Sequence, residues 1–181
     1  LESNKYYRQA IEEYQLALAI NPNLTFLYIS IGHNFRALAN NSSPGSQQTQ
    51  LYNQALESYA KAVRVNGHLQ ILDPSPYLAI AKTYVQQGEF FAAALNAQKA
   101  VEIDPSNTDL YGRLGVIYRD GRNFETAIVA LKCVVDGCTP QESCDARNGC
   151  AVGDPGNVVQ SRPLSAGTAD YFLIYGSLLA S

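Results

Sequence analysis

The sequence predicts an all-α array of antiparallel helical hairpins. Three features lead there. Tyr77, Ile80, Ala81, Tyr84, Phe90, Ala93 and Ala97 recur 34 residues later as Tyr111, Leu114, Gly115, Tyr118, Phe124, Ala127 and Leu131, all in one register. Within each copy the apolar residues fall at helical spacing, which places them on one stripe of a helix. Punctuation is regular as well: a turn at Gly88 or Gly121 separates the two helices of a copy, and Pro105 ends one. A proline lacks the amide hydrogen and pushes the residue before it out of helical geometry.

Taken in order, residues 1–24 form the second half of a unit, with Tyr7, Ala10, Tyr14, Ala17 and Pro22 at the expected intervals. Residues 25–69 form a unit whose first helix carries Tyr28, Ile31, Gly32 and Phe35 and whose second carries Ala55, Tyr59 and Ala62. Phe35 precedes Ala55 by twenty residues rather than nine, so the polar stretch 40–50, NNSSPGSQQTQ, reads as an inserted surface loop. Gly67 stands where a proline is expected, and about four extra residues precede the next unit. Units follow at 74–107 and 108–137, then a cysteine-containing insertion loop at 138–167. Residues 168–181 read as one more first helix, with Phe172, Tyr175, Gly176 and Leu179 in register. With no methionine even at position 1, Leu1 is not expected to be a natural start, and the chain reads as a segment of a longer protein.

A chain that is 46% hydrophobic and 16% charged can bury a core. Its formal charge of −3, with lysines and arginines scattered, argues against nucleic acid as a partner. No apolar run approaches the roughly 18 residues of a membrane span. No signal peptide, phosphate-binding glycine loop, metalloprotease motif or nucleophile elbow is present. The two histidines, His33 and His68, have no partner spacing that favours catalysis, so no enzymatic site and no cofactor are expected. Most aromatics fall at packing positions; Phe26 and Phe91 are candidates for exposed contact. Glu12 and Glu13 read as a solvated helix face, and the NLT, NNS and NSS triplets support nothing firm.

The pattern resembles the tetratricopeptide repeat, a family of 34-residue helix–turn–helix units. The resemblance rests on Tyr77, Ile80, Ala81, Tyr84, Ala93, Ala97, Ala100 and Pro105, and on Tyr111, Leu114, Gly115, Tyr118, Ala127, Leu131 and Val134. It runs from about Lys5 to Val135 and implies a right-handed superhelical solenoid whose concave face is lined by first helices. Mapped by the family's pattern, that face would carry Phe26, Ile29, His33, Arg36 and Ala37. From the next unit come Ser75, Leu78, Lys82, Val85 and Gln86, and from the third Asp109, Gly112, Val116, Arg119 and Asp120. Some members clamp the C-terminal carboxylates of heat-shock chaperones with Lys and Asn; here Ile29, His33 and Ala79 stand at clamp positions, so that role is disfavoured.

The resemblance implies a scaffold or protein-interaction module that binds a peptide or protein segment on the concave face, without catalysis. The alternatives are a spacer that binds nothing and a regulatory or substrate-binding extension of an enzyme whose catalytic domain lies elsewhere. Self-association through exposed array ends is a further expectation.

Cys133, Cys138, Cys144 and Cys150 are an even number, clustered around a long loop. Two disulfides are the favoured reading, with three pairings open. Cys133 and Cys138 span a helix end, where the chain can fold back. Zinc is disfavoured by the lack of a C-x-x-C knuckle, and four reduced thiols are what a cytosolic chain would show. Disulfides would place the segment outside the cytoplasm, as a secreted, periplasmic or membrane-protein ectodomain piece; reduced thiols would place it inside.

Overall fold

The computed structural model describes residues 2–180; Leu1 and Ser181, the end points of two expected segments, lie outside them. Among the described residues the secondary structure is helical, apart from one isolated bridge between Cys138 and Val159. The chain divides into two compact units, Leu1–Gln87 and Gly88–Ser181. The division falls inside the segment 74–107 read above as one repeat, so its two helices are described with different units.

The first unit holds α1 (Glu2–Ile20), α2 (Thr25–Asn40), α3 (Ser46–Leu69) and α4 (Ser75–Gln87). Leu27, Ile31, Leu38 and Ala39 of α2 pack with Leu51 and Tyr52 of α3 and with Ile11 and Leu18 of α1. Ala55 and Tyr59 continue the stripe of α3 onto Ala79 and Ile80 of α4. Gly32 makes this possible: a β-carbon there would overlap the Tyr59 ring.

The inserted loop is shorter than the sequence suggests. Only 41–45 are non-helical, because α3 begins at Ser46 and spans 24 residues. Gly45 supplies a φ of 148° at its start, a conformation that side chains resist. Gln48 then donates from its side chain to the carbonyls of Ala39 and Ser42 (3.1 and 3.3 Å), tying the extension to the end of α2. At the other end α3 runs through Gly67, since glycine, unlike proline, keeps its amide hydrogen. It stops at Gln70, which is left-handed (φ 56°).

The second unit holds α5 (Phe90–Ile103), α6 (Thr108–Asp120), α7 (Phe124–Val135), α8 (Pro140–Ala146) and α9 (Ala169–Leu179). Tyr111, Leu114, Leu131 and Val134 are buried where α6 and α7 pack, and Gly115 lets Leu131 close in: its Cγ lies 2.7 Å from where a glycine β-carbon would stand. In the α6–α7 turn the left-handed position is filled by Arg122 (φ 62°), not by Gly121 (φ −80°). Gly121 serves close approach instead, since a β-carbon there would sit 3.0 Å from Phe90 Cβ.

The expectation of loop throughout 138–167 is corrected by α8. Thr139 accepts from the Glu142 amide, Glu142 accepts from the Thr139 amide, and Pro140 fills the first turn, a complete helix-start signal in four residues. The remainder of the insertion is held to the hairpin by backbone. Cys138 and Val159 exchange two hydrogen bonds (3.0 Å each), the Arg162 amide donates to Val134 O (2.7 Å), and Thr108 Oγ1 donates to Gln160 O (2.7 Å). The last helix, α9, packs on α7 and on α6.

Candidate functional site

The residues mapped to the binding face divide between the units. In the first unit, α2 leaves Phe26 60% exposed, His33 exposed, and Ile29 and Arg36 half-buried. On α4, Lys82 is exposed, and Leu78 and Val85 are half-buried. Arg36 bridges the two helices, its guanidinium donating to Ala79 O (3.3 Å). The same guanidinium lies 5.9 Å from the Tyr59 ring centroid, and His33 meets that ring edge-on at 5.6 Å. Tyr59 was legible in sequence only as a packing residue; the structure makes it the floor beneath Arg36 and His33.

The electrostatics reflect that His33 shares a face with Arg36 and Lys82. Burial lowers the pKa of His33, and the charges of Arg36 and then Lys82 lower it further. Burial pushes the Tyr59 hydroxyl up to about 12 against the pull of Arg36. Thr83 Oγ1, the polar group beside the Tyr59 hydroxyl, gives its own hydrogen to Ala79 O (2.8 Å). Among the described residues, no carboxylate forms an ion pair with Arg36 or Lys82.

In the second unit the mapped residues of α6 are engaged. Asp109 accepts from Arg113 Nε (2.6 Å) and from the Tyr171 hydroxyl (2.9 Å), while the Tyr171 ring covers Gly112. That hydroxyl is pushed up to about 12 by burial and by the carboxylate it donates to. Arg119 is paired with Asp120 at 2.6 Å, and Val116 is half-buried. Of the positions mapped to the open face, Gly112 is covered by the Tyr171 ring, and Asp109 is engaged by Tyr171 and Arg113 with its side chain still 35% exposed. The signal was non-local, since Tyr171 is 62 residues from Asp109.

The cysteines pair in sequence order. Cys133 bonds Cys138 and Cys144 bonds Cys150, with Cα separations of 4.6 and 4.8 Å. Arg147 sits between the second pair and Asp154, its side chain 3% exposed. It donates to Ser143 O (3.2 Å) and Asp154 Oδ2 (3.0 Å) and lies against both sulfurs of that disulfide. Sequence reading passed over Arg147, although one cation among CDARNGC and the following GDPG was a signal for a buried ion pair. Among the described residues, no group of three or more His, Cys, Asp or Glu side chains stands together as a metal site. No helix among them is long and apolar enough to cross a membrane.

Residues 74–107 match the family model described as tetratricopeptide repeat. A curated relative, anaphase-promoting complex subunit 3 of Schizosaccharomyces pombe, is 24% identical over 122 residues, covering 67% of this chain. The chain spans only 16% of that relative's length. Two crystal structures share the fold. A thermophilic tetratricopeptide-repeat protein of Thermus thermophilus aligns over 98% of this chain and 75% of its own, at 17% identity and a TM-score of 0.64. MamA aligns over 96% and 77%, at 17% identity and a TM-score of 0.60. Residues 74–107 thus match one tetratricopeptide repeat, and the fold of a tetratricopeptide-repeat structure is shared over nearly the whole chain.

Proposed function

We infer that this chain is a protein-interaction segment, and that the α2–α4 face of its first unit takes an extended peptide carrying carboxylates. Tetratricopeptide repeats generally mediate protein–protein contact, and the curated relative is named as a subunit of a complex. The observation that carries the finer reading is the contrast between the units. Among the described residues Arg36 and Lys82 have no acidic partner and share a face with His33 and exposed Phe26, whereas Arg119 is paired and Asp109 is engaged by Arg113 and Tyr171. Two cations not paired with carboxylates, with an apolar neighbour, suit recognition of carboxylates along an extended strand or turn of a partner. No catalytic step is assigned to it.

A panel of fluorescent peptides differing only in acidic content tests this. Acidic peptides should bind, Arg36→Ala and Lys82→Ala should each weaken them by about tenfold, and binding should tighten as pH falls and His33 gains its charge. Equal binding of neutral peptides, or indifference to both substitutions, overturns it.

Two disulfides in so short a stretch also support display of the segment in an oxidising compartment. Thiol titration of the protein isolated under alkylating conditions should find none free; four free thiols overturn that placement.

A further inference from the structure

Arg147, at the end of α8, spends one end of its buried guanidinium on sulfur. Its Nε donates to Ser143 O and its Nη1 to Asp154 Oδ2. Both partners of Nη2 are sulfurs: Cys144 Sγ at 3.7 Å, and Cys150 Sγ. A disulfide sulfur is a weak acceptor, so a buried cationic nitrogen gains little from it. A thiolate in the same place would be a charge-assisted partner. The oxidised pair leaves this donor poorly matched, and the reduced pair would match it.

The two sulfurs differ in reach. Cys144 is 8% exposed, and the Gly156 backbone lies so close that a β-carbon there would stand 2.8 Å from Cys144 Sγ. Cys150 is half-buried and leads into the exposed residues Ala151, Val152 and Gly153. A small nucleophile therefore reaches Cys150, and the sulfur it displaces stays against Arg147. The other bridge has neither property. Cys133 and Cys138 are 0% and 6% exposed, and the adjacent Lys132 is paired with Glu142.

The remaining charged and titratable groups nearby are accounted for. Asp154 meets Arg147 through a different nitrogen from the one that faces sulfur. Asp145 accepts from the Gln141 side chain. From α6, Tyr111 comes under the field of Arg147, but burial raises its pKa and its hydroxyl donates to Pro105 O (3.0 Å).

We propose that Cys144–Cys150 is a thiol–disulfide exchange site for a small external thiol. The thiolate of that thiol attacks Cys150 Sγ and forms a new S–S bond there. The Cys144–Cys150 bond breaks, and its electron pair leaves on Cys144 Sγ, which Arg147 holds as a thiolate. A second small thiolate attacks the first one's sulfur in the mixed disulfide and expels the Cys150 thiolate, which takes a proton from water. The protein pair gains two electrons, and the two small thiols depart as their own disulfide. A cation beside the leaving sulfur speeds its departure and poises the pair toward the reduced form. The site is independent of the α2–α4 face.

The test starts from the oxidised chain, verified to hold no free thiol, in glutathione buffers of rising reduced-to-oxidised ratio. Alkylation and peptide mass follow each bridge. Cys144–Cys150 should open first, at a ratio about tenfold below that for Cys133–Cys138. Cys150→Ser then leaves Cys144 as a single thiol, and the pH dependence of its alkylation by iodoacetamide reads its ionisation. It should ionise below the ordinary value of about 8.5. In that background Arg147→Gln should raise the value, and Asp154→Asn, which removes the opposing charge, should lower it further. A merely loosened insertion would carry both variants upward, so opposite shifts separate charge from folding. Bridges that open together, Cys133–Cys138 opening first, a Cys144 thiol that ionises at or above the ordinary value, or two shifts of one sign overturn the proposal.

Discussion

The ring of Tyr59 lies across Gly32, with its Cδ1 2.7 Å from where a β-carbon would be. Both residues are buried, and the ring also carries His33 on its edge and Arg36 near its face. Gly32→Ala sets two effects against each other. Alanine favours the helix by about 1 kcal/mol, while overpacking a tight contact costs about 1–3 kcal/mol. Since the added carbon would meet a ring fixed on both sides, overpacking wins, and urea unfolding should show a net loss of stability. A gain would mean the ring moves freely.

Arg122 and Gly88 occupy the same place in the repeat, 34 residues apart, and both have positive φ (62° and 78°). A left-handed conformation is strained for a residue with a β-carbon, by roughly 1–2 kcal/mol. Arg122→Gly should therefore stabilise the chain by up to about 1 kcal/mol, the more flexible unfolded chain offsetting part of the relief. Gly88→Ala should destabilise it by a similar amount. Opposite shifts in the thermal midpoint are expected; shifts of the same sign would separate the two turns.

Glu142 anchors the start of α8. Hydrogen bonds from Lys132, then from the Thr139 amide and hydroxyl, hold its carboxyl down to about 2, against an ordinary 4.5. The folded value lies below the unfolded one. Its contribution is therefore complete above about pH 4.5 and is lost as pH falls toward 2. Amide exchange of residues 139–146 should quicken through that window, and Glu142→Gln should remove the pH step. A step that persists in the variant belongs to another carboxyl.

Each disulfide closes a short loop, across sequence separations of five and six residues. By the chain-entropy relation such loops stabilise by about 2 kcal/mol each. Reduction should loosen residues 138–162 in hydrogen exchange while α6 and α7 keep their protection, because Tyr111, Leu114, Leu131 and Val134 are buried without help from the sulfurs. Loss of protection in α6 and α7 together with the insertion would show that the crosslinks hold the hairpin too.

The repeating part of the fold was legible because its signal is local. A stripe such as Tyr111, Leu114, Gly115 and Tyr118 declares a helix and the face it buries within eight residues. Two helical stretches escaped for opposite reasons. The start of α3, SQQTQ, is polar and offers no stripe, although glutamine is a fair helix former. Helix α8 is only seven residues long, too short for periodicity, and its signal lay in the pairing of Thr139 with Glu142. At the site, periodicity identifies which residues face away from the packing stripe but says nothing of what arrives from far along the chain. Lys82 stays exposed, while Asp109 is engaged by Tyr171, which arrives from 62 residues along the chain.

The sequential pairing of the cysteines also sets how the chain answers to force. Neither bond spans a helix of the repeat, so a pull on the two ends can unravel every hairpin with both bonds intact. What the bonds hold back is slack: with bridged Cα atoms 4.6 and 4.8 Å apart, they withhold about 30 Å of contour length at full extension. A stretched molecule would release that length only on reduction, which makes the insertion a small reserve of extension under redox control.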